Sequence, residues 1–309
     1  MRKVNSKLSI QDLTKWTNQK GLLEEEVLNF SSEELMTHIG LYVLQGVSPS
    51  PQIEMKFCSQ HEDPVNGNDL CCRVFGGKSK GEKRHWQFKK FFACVDPIVP
   101  TPLVKNSSNW KIEKLVKQIL HISKQAMLIG KWISIDEMTI GFKGRHVHKL
   151  RINYKKEGDG FQCEALCSDG YTFTIYFRNQ AASERFLSKG LSPLHSRVAS
   201  MLSQLPSSAY VVGMDNLYLS AKFAHFAYSR LKKMMIHGVI RSEGRGVPTC
   251  ITQQKQTKKD DIEKNKGTLK AAIITNDEKC KGMVMLSYYD SKPVYLLSNA
   301  CERIVWSKR

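Results

Sequence analysis

No run in this 309-residue sequence approaches the roughly 18 unbroken apolar residues that a membrane-spanning helix needs. The opening MRKVNSKLSIQDL has no apolar core of an export signal either. Neither a membrane location nor secretion is therefore expected. No C-x-x-C pair occurs anywhere, which removes the commonest zinc and redox spacings. The nine cysteines are odd in number and scattered, as suits a reducing compartment rather than a disulfide framework. Cys58, His61, Cys71 and Cys72 could be forced into a four-ligand zinc site, but adjacent cysteines make awkward tetrahedral partners. Cys163 and Cys167 share one face of an expected strand and read most simply as buried thiols. Acidic residues are also scarce, 29 against 47 Lys+Arg, for a formal charge of +18. A field of that sign attracts polyanions, and DNA or RNA is the partner it suits best. No zinc finger, helix-turn-helix or basic-zipper pattern is present to read a base sequence.

What remains is the composition of an ordinary globular protein, 41% hydrophobic and 25% charged, long enough for two domains or one large one. Residues 1–45 read as helical, with caps at Ser9 and Ser32, a stripe of Leu35, Ile39, Tyr42 and Val43, and Gly46 closing the run. Residues 46–85 are poorer in pattern, and 86–130 return to helix, with Ile112, Leu115, Val116 and Ile119 on one face. From 131 the period changes. Residues 160–167 and 171–177 are β-rich runs joined by Ser-Asp-Gly, a hairpin turn. A third strand, AYVVGM, ends on Asp215, followed by the helix SAKFAHFAYSRL and the strand KMMIHGVIR. Residues 241–281 are polar and lysine-rich, an exposed insertion or linker, and a second hairpin turns at Asp290-Ser291-Lys292. The expected architecture is α/β: a helical N-terminal domain over 1–130, a mixed-sheet core over 131–240, the polar insertion over 241–281 and a closing hairpin over 282–309.

Asp169 and Asp215 each end an apolar, β-branched or aromatic run. Carboxylates fixed on adjacent strand ends are what two-metal phosphodiester chemistry requires, since they hold two cations roughly 3.5–4 Å apart. The blocks ISIDEMTIGFKGR (133–145), YKKEGDGFQCEALCSDGYTFTIYF (154–177), GMDNLYLSA (213–221), HGVIRSEGRGVP (237–248) and VYLLSN (294–299) resemble, in order, signature blocks of piggyBac transposases and their domesticated derivatives. Looser similarity reaches back to about residue 34. The resemblance implies a ribonuclease-H-like core in which three Asp residues hold two magnesium ions that activate water and then a freed 3′ hydroxyl.

Asp215 matches the second of those Asp residues; the other reading is a helix cap. In this register the first Asp falls on Ser168, with Asp169 one place late and hence on the opposite strand face. An alternative alignment puts Asp169 itself in place, and a plain Asp-Gly turn is the third reading. The family's third Asp lies beyond the block resembling VYLLSN, so the expectation is an incomplete, C-terminally truncated core. Asp136 and Glu137, another acidic signature of the family, are not carried over as metal ligands; they read as a structural ion pair, as orienting Lys143 or Arg145, or as capping local structure.

The segment 143–156 carries Lys143, Arg145, Lys149, Arg151, Lys155 and Lys156 with no acidic residue, interleaved with His146, His148 and Tyr154. Such a run supplies phosphate contacts and stacking rings. Further clusters are Lys78, Lys80, Lys83, Arg84, Lys89 and Lys90, and Arg241 with Arg245 in a Gly-rich loop. The expected function is a transposable-element-derived, nuclear DNA-binding protein with impaired catalysis, with room for a homodimer. The alternatives are a magnesium-dependent transposase using Asp169, Asp215 and a substitute carboxylate, or a fragment without function.

Overall fold

The computed structural model describes residues 8–99, 109–142, 144–152, 159–206, 209–244, 246–273 and 282–300. The chain divides into two compact units, Met1–Ile119 and Leu120–Arg309.

The first unit is helical. It contains α1 (Ile10–Leu23), α2 (Ser32–Val47), α3 (Asp69–Phe75), α4 (Lys78–Phe91) and the first part of α5 (Trp110–Ala126). Ser9 caps α1 through a reciprocal box with Asp12. On α2 the cap is Ser31 rather than Ser32: the Ser31 hydroxyl accepts from the Glu34 N–H at 3.1 Å, the three-residue spacing that a cap requires. The helix also runs past Gly46 to Val47. Leu13, Phe30, Leu35, Phe88 and Phe91 form the core of this unit. Of the sequence stripe on α2, Leu35 is buried while Tyr42 and Val43 are exposed.

The second unit is built on one sheet. Its elements are β1 (Trp132–Gly141), β2 (Leu150–Arg151), β3 (Asp159–Ser168), β4 (Tyr171–Phe177), α6 (Glu184–Leu187), α7 (Pro193–Leu202), β5 (Val211–Met214), α8 (Ala221–Arg230), β6 (Met235–Val239), α9 (Lys259–Asn265), β7 (Leu269–Ile273), β8 (Val284–Tyr289) and β9 (Pro293–Ser298). The order across the sheet is β2-β3-β1-β5-β6-β9-β8-β7, with β4 also paired to β3. β1 and β3 are antiparallel, whereas β1, β5 and β6 run parallel. Parallel neighbours need crossover connections, and α8 supplies the one between β5 and β6. An antiparallel hairpin beside parallel strands is the ribonuclease-H-like arrangement that the sequence blocks imply.

Alternation sets the faces. Ile133 and Ile135 of β1 and Val212 and Met214 of β5 are buried in one core, together with Val198 of α7 and Phe223 of α8. Ser134 and Asp136 point the other way and are exposed. No strand is expected over 132–141 from the sequence, yet β1 is the central one, joining the β3–β4 hairpin to the parallel half. The polar insertion is partly anchored: β7 pairs with β8, Ile251 is buried, and the Tyr295 hydroxyl exchanges hydrogen bonds with the Gln253 backbone.

Candidate functional site

On β1 and β5 the last paired residues are Ile135 and Met214. The next residues along the chain are Asp136, in the middle of β1, and Asp215, just past the end of β5. Neighbouring strands lie about 4.8 Å apart, so the two residues stand side by side just beyond the last β1–β5 rung. Both residues are exposed. The Asp136 carboxylate accepts from the Glu137 N–H at 2.7 Å and that of Asp215 from the Asn216 N–H. Among the described residues neither makes an ion pair. The helix cap after β5 is Ser220, whose hydroxyl accepts from the Phe223 N–H at 3.1 Å. Asp215 is therefore not needed to cap α8. Its carbonyl instead receives the N–H groups of Tyr218 and Leu219, which fixes the turn carrying its side chain.

Gly238 on β6 supports this strand end. Its φ is +154°, and a Cβ there would stand 1.9 Å from the Met214 carbonyl oxygen, so only glycine lets the two backbones approach beneath Asp215.

Asp169 lies elsewhere. With Gly170 it forms the two-residue turn of the β3–β4 hairpin, with φ of +49° and +77°. The β1–β3 register pairs Ser134 with Cys167, so Asp169 falls two rungs further on, beside Trp132. That is four residues from Asp136 along β1, about 13 Å. Ser168, at the alternative position, accepts from the Gly130 N–H at 3.1 Å and so belongs to the same far end. The structure brings Asp215 together with Asp136, not with Asp169 or Ser168.

Glu137 does form an ion pair, but with Arg178 at 2.5 Å and not with the basic loop. It lies opposite Glu164 in the β1–β3 register. Glu164 is fully buried and receives Arg197 on both oxygens, at 3.1 and 3.2 Å, with Arg178 at 3.4 Å. Two like charges across a ladder repel, and the two guanidiniums offset this. The network pins the core side of β1 while Asp136 points away from it.

Of the expected phosphate contacts, Arg145 and Arg241 are exposed. Lys149 and Arg151 both reach Asp159, at 3.5 and 3.8 Å, so an acidic residue just outside 143–156 partly neutralises that run. Lys143, Lys155, Lys156 and Arg245 lie outside the described residues. On α4, Arg84 is taken by Glu34 and stacks over Phe30, Lys89 meets Glu54, and Lys90 is near Glu24 and Glu26. Lys78 lies within electrostatic reach of Glu62 and Asp63, and among the described residues Lys80 and Lys83 make no ion pair. Cys163 is buried, and burial pushes its thiol up to about 12, which makes it inert. Among the described residues no three His, Cys, Asp or Glu side chains cluster as a metal site, and no helix is long and apolar enough to cross a membrane.

One solved structure, a cryo-EM structure of a piggyBac transposase synaptic complex with hairpin DNA, is similar with a TM-score of 0.70 at 18% identity, over 97% of this chain. The chain spans 59% of that protein's length. The likeness shows the fold. No curated protein matches the sequence. The family model described as Transposase IS4 matches residues 80–308. With most of its length inside that match, the chain belongs to the Transposase IS4 family.

Proposed function

We propose that this protein binds DNA and presents Asp136 and Asp215 as a carboxylate pair for one divalent cation at a DNA phosphate, with strand cleavage impaired. The observation that carries the reading is the parallel register of β1 and β5, which sets Asp136 and Asp215 side by side where that ladder ends, without an ion-pair partner among the described residues. Magnesium takes one or two carboxylates together with substrate phosphates, and this donor set fits one such ion. A cation held there supplies charge neutralisation at a phosphate oxygen. The chain's own contribution is geometric: Gly238 allows the close approach of β6 to β5, and the Asp215 turn fixes one ligand. Arg145, Lys149, Arg151 and Arg241 supply exposed or partly exposed positive charge for the DNA backbone. The similarity to a transposase whose solved structure holds DNA supports the same partner here. Impaired cleavage is the part of the proposal that carries forward the expected incomplete acidic set, and the nicking assay tests it.

The juxtaposition of Asp136 and Asp215 also favours a second reading, a metal-dependent DNA transposase with a complete acidic set. Nicking of labelled duplex DNA in Mg²⁺ or Mn²⁺ separates the two. Binding without nicking supports the first reading. Nicking that disappears in both Asp136→Asn and Asp215→Asn, but survives in Asp169→Asn, establishes the second. A domesticated, nuclear, dimeric protein is part of the proposal; imaging of the tagged chain and sedimentation of the purified one test location and dimer.

A further inference from the structure

We propose that Arg178 is a positioning residue for the carboxylate pair: it gathers the side chains of Glu137 and Tyr218, which follow Asp136 and Asp215, and so sets how far apart the two carboxylates stand. The inference rests on the cation reading above and deepens it, because Arg178 acts from the opposite face of the sheet. Along β1, alternation turns Glu137 away from the face of Asp136, and its carboxylate accepts from Arg178 Nη2 at 2.5 Å. After β5 the chain folds back on itself. The N–H groups of Tyr218 and Leu219 donate to the Asp215 carbonyl at 3.0 and 3.1 Å, and His195 Nε2 lies 2.9 Å from the Tyr218 carbonyl. This turn carries the Tyr218 side chain into the core, where it is fully buried. Its hydroxyl lies within electrostatic reach of Arg178, Glu137 and Glu164 yet makes no hydrogen bond. Burial, then Glu164 and Glu137, push the phenol well up, so it stays a neutral dipole.

Arg178 is itself a fixed post. Its backbone N–H donates to the Gln162 carbonyl at 2.9 Å, its Nε donates to Glu164 at 3.4 Å, and Arg197 of α7 holds both oxygens of Glu164. A shift of the Asp215 turn therefore drives Tyr218 against a guanidinium that β3 holds still. A shift of β1 at Asp136 strains the Glu137 ion pair in the same way. Groups that orient a ligand from behind typically carry about 10–100-fold in metal affinity. The unbonded hydroxyl separates this role from packing. A buried hydroxyl without a partner costs free energy, so for stability alone its removal is harmless or favourable. A positioning role predicts that stability and cation affinity part company.

The test titrates Mn²⁺ calorimetrically into the DNA-bound chain and follows thermal melting of the same proteins. Tyr218→Phe keeps the ring and removes the hydroxyl; it should bind Mn²⁺ a few-fold more weakly while its melting temperature holds or rises. Arg178→Met, which removes the guanidinium, should bind about tenfold more weakly. The double variant should lose no more than Arg178→Met alone, because both changes act through one group. Wild-type affinity in either single variant, or losses that add in the double variant, overturns the positioning role alone. If Arg178→Met does not fold, Tyr218→Phe decides: affinity that is unchanged, or that falls only together with melting temperature, overturns the role. A wild-type chain that binds no Mn²⁺, or binds it regardless of Asp136→Asn and Asp215→Asn, overturns the cation reading and the positioning role together.

Discussion

Asp136 and Asp215 stand one residue beyond the last rung that joins β1 to β5, the pair Ile135 and Met214. Two carboxylates held side by side on neighbouring strands repel each other unless a cation sits between them. Asp136→Asn and Asp215→Asn should therefore weaken Mn²⁺ binding by similar factors, each about tenfold or more, whereas Asp169→Asn should leave it unchanged. Calorimetric titration of Mn²⁺ in the presence of DNA reads this without relying on cleavage. In the absence of metal, both variants should bind DNA as well as the wild type or slightly better, because a negative charge near the phosphates is gone. A loss confined to Asp169→Asn would move the metal to the hairpin turn.

Asp159 holds Lys149 and Arg151 at 3.5 and 3.8 Å, so two of the cations offered to DNA are partly committed. Asp159→Asn should raise DNA affinity a few-fold and steepen the dependence of affinity on salt. Arg145→Ala with Arg151→Ala should do the opposite, flattening the salt slope by about one for each lost phosphate contact and about equally for all sequences. Titrations at several salt concentrations measure both, and an unchanged slope in the double variant would detach this loop from DNA.

The buried Glu164 and Arg197 pair predicts a sharp asymmetry. Glu164→Gln leaves Arg197, itself 8% exposed, without its charge partner and should cost about 3 kcal/mol or more. Replacing both by apolar residues, Glu164→Leu with Arg197→Met, should cost much less, because no charge is then stranded. Denaturant midpoints of the three proteins decide it. Equal losses would mean that the network contributes packing rather than electrostatics.

The hairpin, the strand ending at Asp215, α8 and the closing β8–β9 hairpin were legible because alternation and turn residues are local signals. The Asp-Gly turn was legible too, and it makes plain why Asp169 sits where it does: positive φ at both turn residues suits Asp and Gly. The partnership of Asp136 was not legible. WISIDEMTIG alternates cleanly only through Ile133 and Ile135, and its register with β5 is a long-range pairing that no local pattern encodes. Once β1 is recognised as a strand, the same alternation that buries Ile135 exposes Asp136. The commitment of Lys149 and Arg151 to Asp159 was hidden for a related reason, since β2 folds back on β3 across residues that lie eight or more positions along the chain.

His38 and His85 are fully buried side by side, their Nδ1 atoms 3.5 Å apart, among Phe57, Phe75 and Phe88. Desolvation by burial, then the neighbouring His85, lowers His38 from 6.5 to about 4, and burial lowers His85 as well. Glu34 pulls His38 the other way and Arg84 adds to the lowering, while Lys89 and Glu54 act in opposite senses on His85. The unfolded chain binds these protons more readily than the folded one, so stability rises with pH through this window. The full contribution is present above about pH 6.5 and is lost progressively as pH falls toward 4, by up to about 3 kcal/mol for His38. His38→Phe, which suits the aromatic surroundings and cannot be protonated, should flatten the fall in denaturant midpoint between those pH values. A wild-type profile that is already flat between pH 6.5 and 4 would show that the two imidazoles take up protons without opening this helical unit.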